Sequence, residues 1–202
     1  MHTITPARRA ERARQLAASL PHASEALLFY ARIVEFDGDE EDLRALAMRH
    51  GPQLLREAAR DRREPALTFF RRVLDLRHPP HLDAPHSNLC PRCGSQPQAG
   101  VLRKEGDGSA FHLFCGVCLT EWRFPRAVCP RCGGEDLSHF CSEQLPHVQT
   151  RVCEGCGRYL HVVDTLRDAE ACPDVDEIAA LAVDVWAIEQ GYEKIQPNLI
   201  GI

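Results

Sequence analysis

The stretch Cys90–Gly94 reads CPRCG, and the same five residues return at Cys129–Gly133. Each copy begins a unit that a second C-x-x-C pair completes, CGVC in the first unit and CEGC in the second. The four pairs are separated by 21, 10 and 20 residues, so two long gaps flank one short gap. This alternation of gap lengths groups the first pair with the second and the third with the fourth. It indicates a tandem repeat of one small unit.

A C-x-x-C turn brings two thiolates to one metal ion, and two such turns complete a tetrahedral site with bonds of about 2.3 Å to zinc. Glycine directly follows the second cysteine in three of the four pairs, and it permits the backbone conformation that such a turn needs. The spacing therefore predicts two four-sulfur metal sites. Their ligands are Cys90, Cys93, Cys115 and Cys118 in the first site, and Cys129, Cys132, Cys153 and Cys156 in the second.

The predicted sites are closed, because four protein ligands leave no position for water or substrate. Four thiolates suit zinc or a single iron ion, and the spacing does not choose between the two metals. Redox-active dithiols are a weaker alternative, since no βαβ pattern surrounds the motifs. The sequence also lacks a phosphate-binding glycine loop, an H-E-x-x-H motif and a nucleophile elbow. We expect a protein that is not an enzyme, and we assign no catalytic residue.

Composition and charge indicate the cellular compartment and the kinds of binding partner that we expect for the protein. The N-terminus has no long apolar stretch of a secretory signal, and no window is apolar enough to span a membrane. We expect a cytoplasmic protein, in which ten cysteines favour metal binding over disulfides. Residues 87–202 carry a net charge of −6, against +1 for residues 1–86. A nucleic-acid-binding module normally has the opposite sign, so no nucleic-acid partner is predicted.

The pattern of apolar residues predicts an α+β fold. Helical spacing runs through the first part of the chain, and short β-branched runs between turn signals predict small antiparallel sheets around the cysteines. The predicted order is a helical domain (1–86), two four-cysteine ribbons (87–126 and 127–170), and a C-terminal helix with a docking tail (171–202). The apolar stripe of that last helix would consist of Val175, Ile178, Ala179, Ala182, Val185 and Trp186.

Several polar and aromatic residues have two interpretations. Arg151 and Arg158 could serve an anionic surface, but solvated strand positions explain them. Trp122 and Tyr159 closely follow the second pair of each unit, and we predict that both pack over the metal-binding turns. In a proline-rich linker His78, His81 and His86 could be ligands, although an ordinary loop explains them.

Two cysteines are left over from the four pairs. Cys172 precedes a predicted helix, where a thiol can become reactive, but a buried inert thiol is the favoured interpretation. For Cys141 the sequence predicts no role.

Three segments together resemble the FdhE family of formate dehydrogenase accessory proteins. They are LTEWRFPRAVCPRCG (119–133), RVCEGCGRYLHVVDTLRD (151–168) and PDVDEIAALAVDVWAIEQGYEKIQPNLIGI (173–202). The resemblance covers about Leu89 to Ile202 and is looser over residues 1–86, where the helical region looks shorter than in typical members.

The resemblance implies a fold and a function. It implies tandem rubredoxin-like ribbons beside a helical domain, with iron as the expected metal and zinc as the alternative. It further implies a cytoplasmic, chaperone-like maturation factor that binds the catalytic subunit of a respiratory formate dehydrogenase before export. The alternatives are a rubredoxin-like protein for electron transfer or redox sensing and, less favoured, a nucleic-acid-binding zinc ribbon. The oligomeric state is not predicted.

Overall fold

The structure is a computed structural model that describes residues 4–77 and 88–201, and it has the predicted α+β composition. The linker histidines His78, His81 and His86 lie outside the described residues. The helices are α1 (Pro6–Ser19), α2 (Ser24–Val34), α3 (Glu40–His50), α4 (Gln53–Arg60), α5 (Ala66–Arg77), α6 (Pro173–Ala179) and α7 (Leu181–Glu189). The strands are β1 (Ala99–Glu105), β2 (Gly108–Phe114), β3 (Glu121–Arg123), β4 (Leu137–Ser142), β5 (Leu145–Cys153), β6 (Arg158–Asp164) and β7 (Glu193–Lys194).

The N-terminal helices are bounded by local sequence signals. A short 3-10 turn that starts at Pro21 separates α1 from α2, and Asp39 caps α3 through a reciprocal capping box. Two leucines of these helices, Leu28 of α2 and Leu67 of α5, are exposed. Aromatic residues of the same helices, Phe29 and Phe69, fill the core instead.

The two cysteine units form one continuous sheet rather than separate small sheets. Each unit is an antiparallel three-stranded ladder, β1-β2-β3 in the first and β4-β5-β6 in the second. Strand β1 then pairs in parallel with β6 from Ala99↔His161 to Leu102↔Asp164, and β7 extends the same side of β6. The prediction of separate sheets was wrong because local pattern cannot show which strand edges meet.

The C-terminal segment forms two short helices, which differs from the single predicted helix. The chain bends at Ala180 between α6 and α7. This bend turns Asp184 inward and leaves Ala182 and Val185 exposed, so the predicted apolar stripe does not continue through α7. The tail packs against the helices, since Leu199 is buried and Arg72 Nη2 donates a 2.7 Å hydrogen bond to the carbonyl of Pro197.

Helix α6 is joined to the N-terminal helices by buried charges. The carboxylate of Asp174 accepts hydrogen bonds of 2.5 Å from Arg9 Nε and from the Tyr30 hydroxyl. Two residues further along α6, Asp176 accepts a 2.5 Å hydrogen bond from Arg12 Nη2. All four of these charged side chains have little or no contact with solvent. These two acids of α6 therefore anchor the layer of N-terminal helices.

The third acid of α6 faces the sheet. Glu177 is fully buried, forms an ion pair with Lys194 and accepts a 3.1 Å hydrogen bond from Gln98 Nε2. Lys194 also pairs with Asp184 at 2.9 Å, and His161 Nε2 lies 2.7 Å from the same carboxylate. Burial alone would raise the pKa of Asp184, but His161 and Lys194 outweigh it and lower the pKa to about 2. This network holds α7 and β7 against β6.

Within residues 4–77 and 88–201, none of the helices combines the length and apolar character needed to cross a membrane.

The buried Arg9–Asp174 pair predicts a large loss of stability for Asp174→Asn. Removing one charge of a buried pair leaves its partner uncompensated, so unfolding should become easier by about 3–5 kcal/mol. The control is Glu170→Gln, since Glu170 pairs with Arg8 at the surface of the same interface. That pair is largely exposed and should contribute less than about 1 kcal/mol. Urea unfolding measures both, and equal losses in the two variants would contradict the prediction.

Candidate metal centres

The structure brings together the four sulfur atoms of the first predicted site. All four cysteines are buried, and their Sγ atoms lie within 4.8 Å of one another. Cys90 Sγ is 3.4 Å from Cys118 Sγ, and Cys93 Sγ is 3.5 Å from Cys115 Sγ. A tetrahedral zinc or iron site with bonds of about 2.3 Å separates its sulfur atoms by about 3.8 Å. The spacing is therefore that of a metal-ligating set, and it is too long for disulfides.

The second site has the same geometry in a more open position. Cys129 Sγ lies 3.8 Å from Cys156 Sγ, and Cys132 Sγ lies 3.6 Å from Cys153 Sγ. Cys132 is exposed and Cys156 is half-buried, whereas Cys129 and Cys153 are buried. All ten cysteines lie in the described part of the chain and are free thiols. Both sets therefore fit one tetrahedral ion each, and the second would place its ion closer to solvent.

The four turns that carry the cysteines share one backbone geometry. In each turn the residue after the second cysteine has a positive φ and donates its N–H to the carbonyl of the first cysteine, at 2.8–2.9 Å. These residues are Gly94, Leu119, Gly133 and Gly157. Glycine reveals three of the four turns in the sequence, but Leu119 gives no such signal. A leucine at φ 57° is strained, and the paired turn around it keeps the conformation in place.

The hydrogen-bond partners of the sulfur atoms differ between the two sites. In the first site the hydroxyl groups of Ser95 and Thr120 lie 3.3 and 3.2 Å from the sulfurs of Cys93 and Cys118. In the second site backbone N–H groups donate to sulfur, from Arg131 to Cys129 at 3.3 Å and from Gly134 to Cys132 at 3.4 Å. The N–H of Gly134 is the main cause that lowers the pKa of Cys132 to about 7.

Arg151 beside the second site is buried, which contradicts its interpretation as a solvated strand residue. It is 3% exposed, its Nη1 donates to the carbonyl of Arg126 at 2.8 Å, and its guanidinium lies 4.5 Å from the ring centre of Phe111. Burial lowers the pKa of Arg151 to about 10, Arg126 acts in the same direction, and the sulfur of Cys129 opposes them. Sequence reasoning missed this residue because a single arginine in a strand is usually exposed.

The two aromatic residues after the cysteine pairs have different positions. Trp122 packs against the cysteines of the first site, as predicted. Tyr159 does not cover the second site, because its side chain points to the helices and its hydroxyl donates a 2.9 Å bond to Asp184. Cys172 is fully buried, and burial is the largest cause that raises its pKa to about 12. Its environment fits the inert thiol rather than a reactive one.

Two further clusters have the ligand types of a metal site but are already filled by a cation. His147, Asp168 and Asp176 surround the guanidinium of Arg12, and His161, Glu177 and Asp184 surround the ammonium of Lys194. A metal ion would have to displace a buried, paired side chain at either place. The two four-cysteine groups are therefore the candidate metal centres.

Comparison with known proteins adds to this geometry. The family models "FdhE, central domain" and "FdhE, C-terminal domain" match residues 89–126 and 128–200, together just over half of the chain. The Protein FdhE homolog of Aquifex aeolicus is 36% identical over 119 residues, which cover 56% of this chain and 42% of that protein. Its counterpart in Pseudomonas putida is 33% identical over 132 residues, which cover 60% and 42%. The match thus spans about two fifths of the length of these curated relatives.

A solved structure shares the whole fold. The crystal structure of the FdhE protein from Pseudomonas aeruginosa aligns with a TM-score of 0.70 over 99% of this chain and 97% of that chain, at 23% identity. The two domain models follow one another along the cysteine units and the C-terminal helices, as the resemblance in the sequence predicts. The chain belongs to the FdhE family.

Proposed function

We propose that this chain is a cytoplasmic accessory protein for the maturation of a respiratory formate dehydrogenase. It binds the catalytic subunit before export and catalyses no reaction of its own. Family membership carries this proposal, and the two closed four-cysteine groups support it, because a site with four protein ligands shapes a surface without offering a place for substrate.

The proposal includes two mononuclear metal ions, with iron favoured and zinc as the alternative. The first ion would be held by Cys90, Cys93, Cys115 and Cys118, and the second by Cys129, Cys132, Cys153 and Cys156. The sulfur spacing of 3.4–3.8 Å supports this assignment. Each unit would then be a rubredoxin-like ribbon whose two turns are held together by its ion. The boundaries at residues 86, 126 and 170 are part of the same proposal.

A cleft beside the first site connects metal binding with binding of the catalytic subunit, which we call the client. Leu119 and Trp122 of the first unit line one wall of a cleft of about 740 Å³, and Ile4 and Arg8 from the region of α1 line the other. Leu119 directly follows a ligand of the first site. Loss of the first ion would therefore release the turn that forms this wall, and we include the cleft in the client-binding surface.

The metal proposal predicts two metal ions per chain in protein purified without oxygen from its own host. Cys93→Ser and Cys132→Ser occupy equivalent positions in the two repeats, and each should reduce the content to about one ion. Cys141→Ser removes a thiol that belongs to neither group and should retain both ions. Metal analysis by mass spectrometry measures the content, and visible absorption distinguishes iron from zinc. Full-length folded protein without metal would contradict the proposal.

The client proposal predicts that the tagged full-length chain captures the formate dehydrogenase catalytic subunit from its host before export. Cys141→Ser should capture as much as the unmodified chain. Cys93→Ser should capture several-fold less, and less than Cys132→Ser, because the cleft lies beside the first site. Immunodetection of the subunit quantifies capture. Recovery of folded, metal-loaded protein without the subunit would rule out the client.

Electron transfer is a second candidate, and the exposure of Cys132 favours it. An ion whose ligand sulfur reaches the surface can exchange an electron with another protein at short range. This function requires iron at the second site. Protein from its own host that contains only zinc would exclude it while leaving the accessory function intact.

A further inference from the structure

The internal repeat provides a comparison between the two sites at matched positions. Cys115 of the first unit corresponds to Cys153 of the second, and the residues two positions earlier are Leu113 and Arg151. Strand pairing supports the match, because Leu113 pairs with Gly100 and Trp122 while Arg151 pairs with His139 and Leu160. Both side chains are buried. The repeats therefore differ at this position by one buried positive charge.

This charge has no carboxylate partner in the described ranges. Arg151 forms no ion pair there, its Nε makes no hydrogen bond, and its one polar contact is the neutral carbonyl of Arg126. A buried guanidinium is costly unless an opposite charge compensates it. The face of Phe111 compensates it only in part.

A source of negative charge next to Arg151 in the chain is the second four-cysteine group, because Arg151 lies two residues before Cys153. Side chains two apart in a strand point to the same face, so Arg151 and Cys153 leave β5 on the same side. The carbonyl that holds the guanidinium belongs to Arg126, three residues before Cys129. A loaded site carries net negative charge, because four thiolates outweigh a divalent or trivalent ion.

We propose that Arg151 is the built-in counter-charge of the second site, and that it makes this site the more easily reduced of the two when iron is bound. The proposal rests on the metal binding proposed above. One electron added to a ferric four-thiolate site raises its net negative charge from one to two and breaks no bond. A buried cation on one side of the site favours that change, and the leucine of the first unit does not.

Different groups compensate the negative charge of the first site. The hydroxyl groups of Ser95 and Thr120 face its sulfurs, and all of its cysteines are buried away from water. Hydroxyl dipoles stabilise thiolates less than a full charge does, and burial disfavours the more negative state. Both differences act in the same direction, so the two sites should have separate reduction potentials.

The test is an electrochemical titration of the iron-loaded full-length protein, followed by visible absorption. The unmodified chain should show two one-electron steps, and Cys132→Ser should abolish the step at the higher potential. Arg151→Met retains an unbranched apolar side chain against Phe111 and removes the charge. It should change the ferrous-to-ferric ratio of the second site by about tenfold, which is a fall of about 59 mV. The step of the first site should stay in place.

Two further variants distinguish the effect of the Arg151 charge from the effect of side-chain packing. Arg151→Lys retains the charge and should shift the second step by less than about half as much as Arg151→Met. Arg131→Gln removes an exposed charge from the turn of the same site, and it should cause a small shift because solvent screens that charge.

The outcomes are distinct. Overlapping steps in the unmodified chain would overturn the proposal without any variant, as would equal shifts in Arg151→Met and Arg151→Lys. An unchanged second step in folded, fully loaded Arg151→Met would overturn it as well. If Arg151→Met does not fold, the order of the two steps and the Arg151→Lys shift decide. Folded protein that takes up no metal would instead refute the metal binding itself.

Discussion

The pairing of three buried acids on α6 is the constraint on which the rest of the structure depends. Asp174 and Asp176 point to α1, and Glu177 points to the sheet. A buried carboxylate is tolerated when a cation or several donors compensate it, so each acid restricts where its partner element can lie. Helix α6 can satisfy all three only between the N-terminal helices and β6–β7. The helical layer, the sheet and the C-terminal helices are therefore one body.

The cysteine groups could be predicted from sequence because their chemistry is local. Two cysteines separated by two residues form the same turn in all four pairs of this chain, and the repeated gaps show which turns meet. Glycine signals three of these turns. Leu119 adopts the same left-handed conformation without a sequence signal, since the turn is imposed there by the hydrogen bond to Cys115 and not by the residue type. The grouping of sulfurs therefore agrees with the spacing, although one turn residue was not recognised.

The contacts between secondary-structure elements could not be predicted, because the residues that form them are distant in the chain. Arg9 and Asp174 are 165 residues apart, and Gln98 and Glu177 are 79 residues apart. From sequence alone, an acidic residue in the first turn of a helix is interpreted as a partner of the helix dipole. The parallel pairing of β1 with β6 is a further long-range join, and it turns two predicted sheets into one. Periodicity reports which face is buried only where an apolar partner covers it, which explains why α7 was misread.

Within the merged sheet the two repeats have the same turn geometry but different charge environments. Phe111 and Leu113 from the first unit pack with Leu160 and Val162 from the second in one apolar cluster. Neither unit can bury this face alone, so the two ribbons depend on each other for stability. The turns of both units share one backbone geometry, so both would hold the same kind of ion in the same way. What distinguishes the sites is their surroundings. A buried arginine stands in one unit where leucine stands in the other, and one group of sulfurs is enclosed while the other reaches solvent. Two sites of equal geometry and unequal charge environment can hold the same metal and still differ in function.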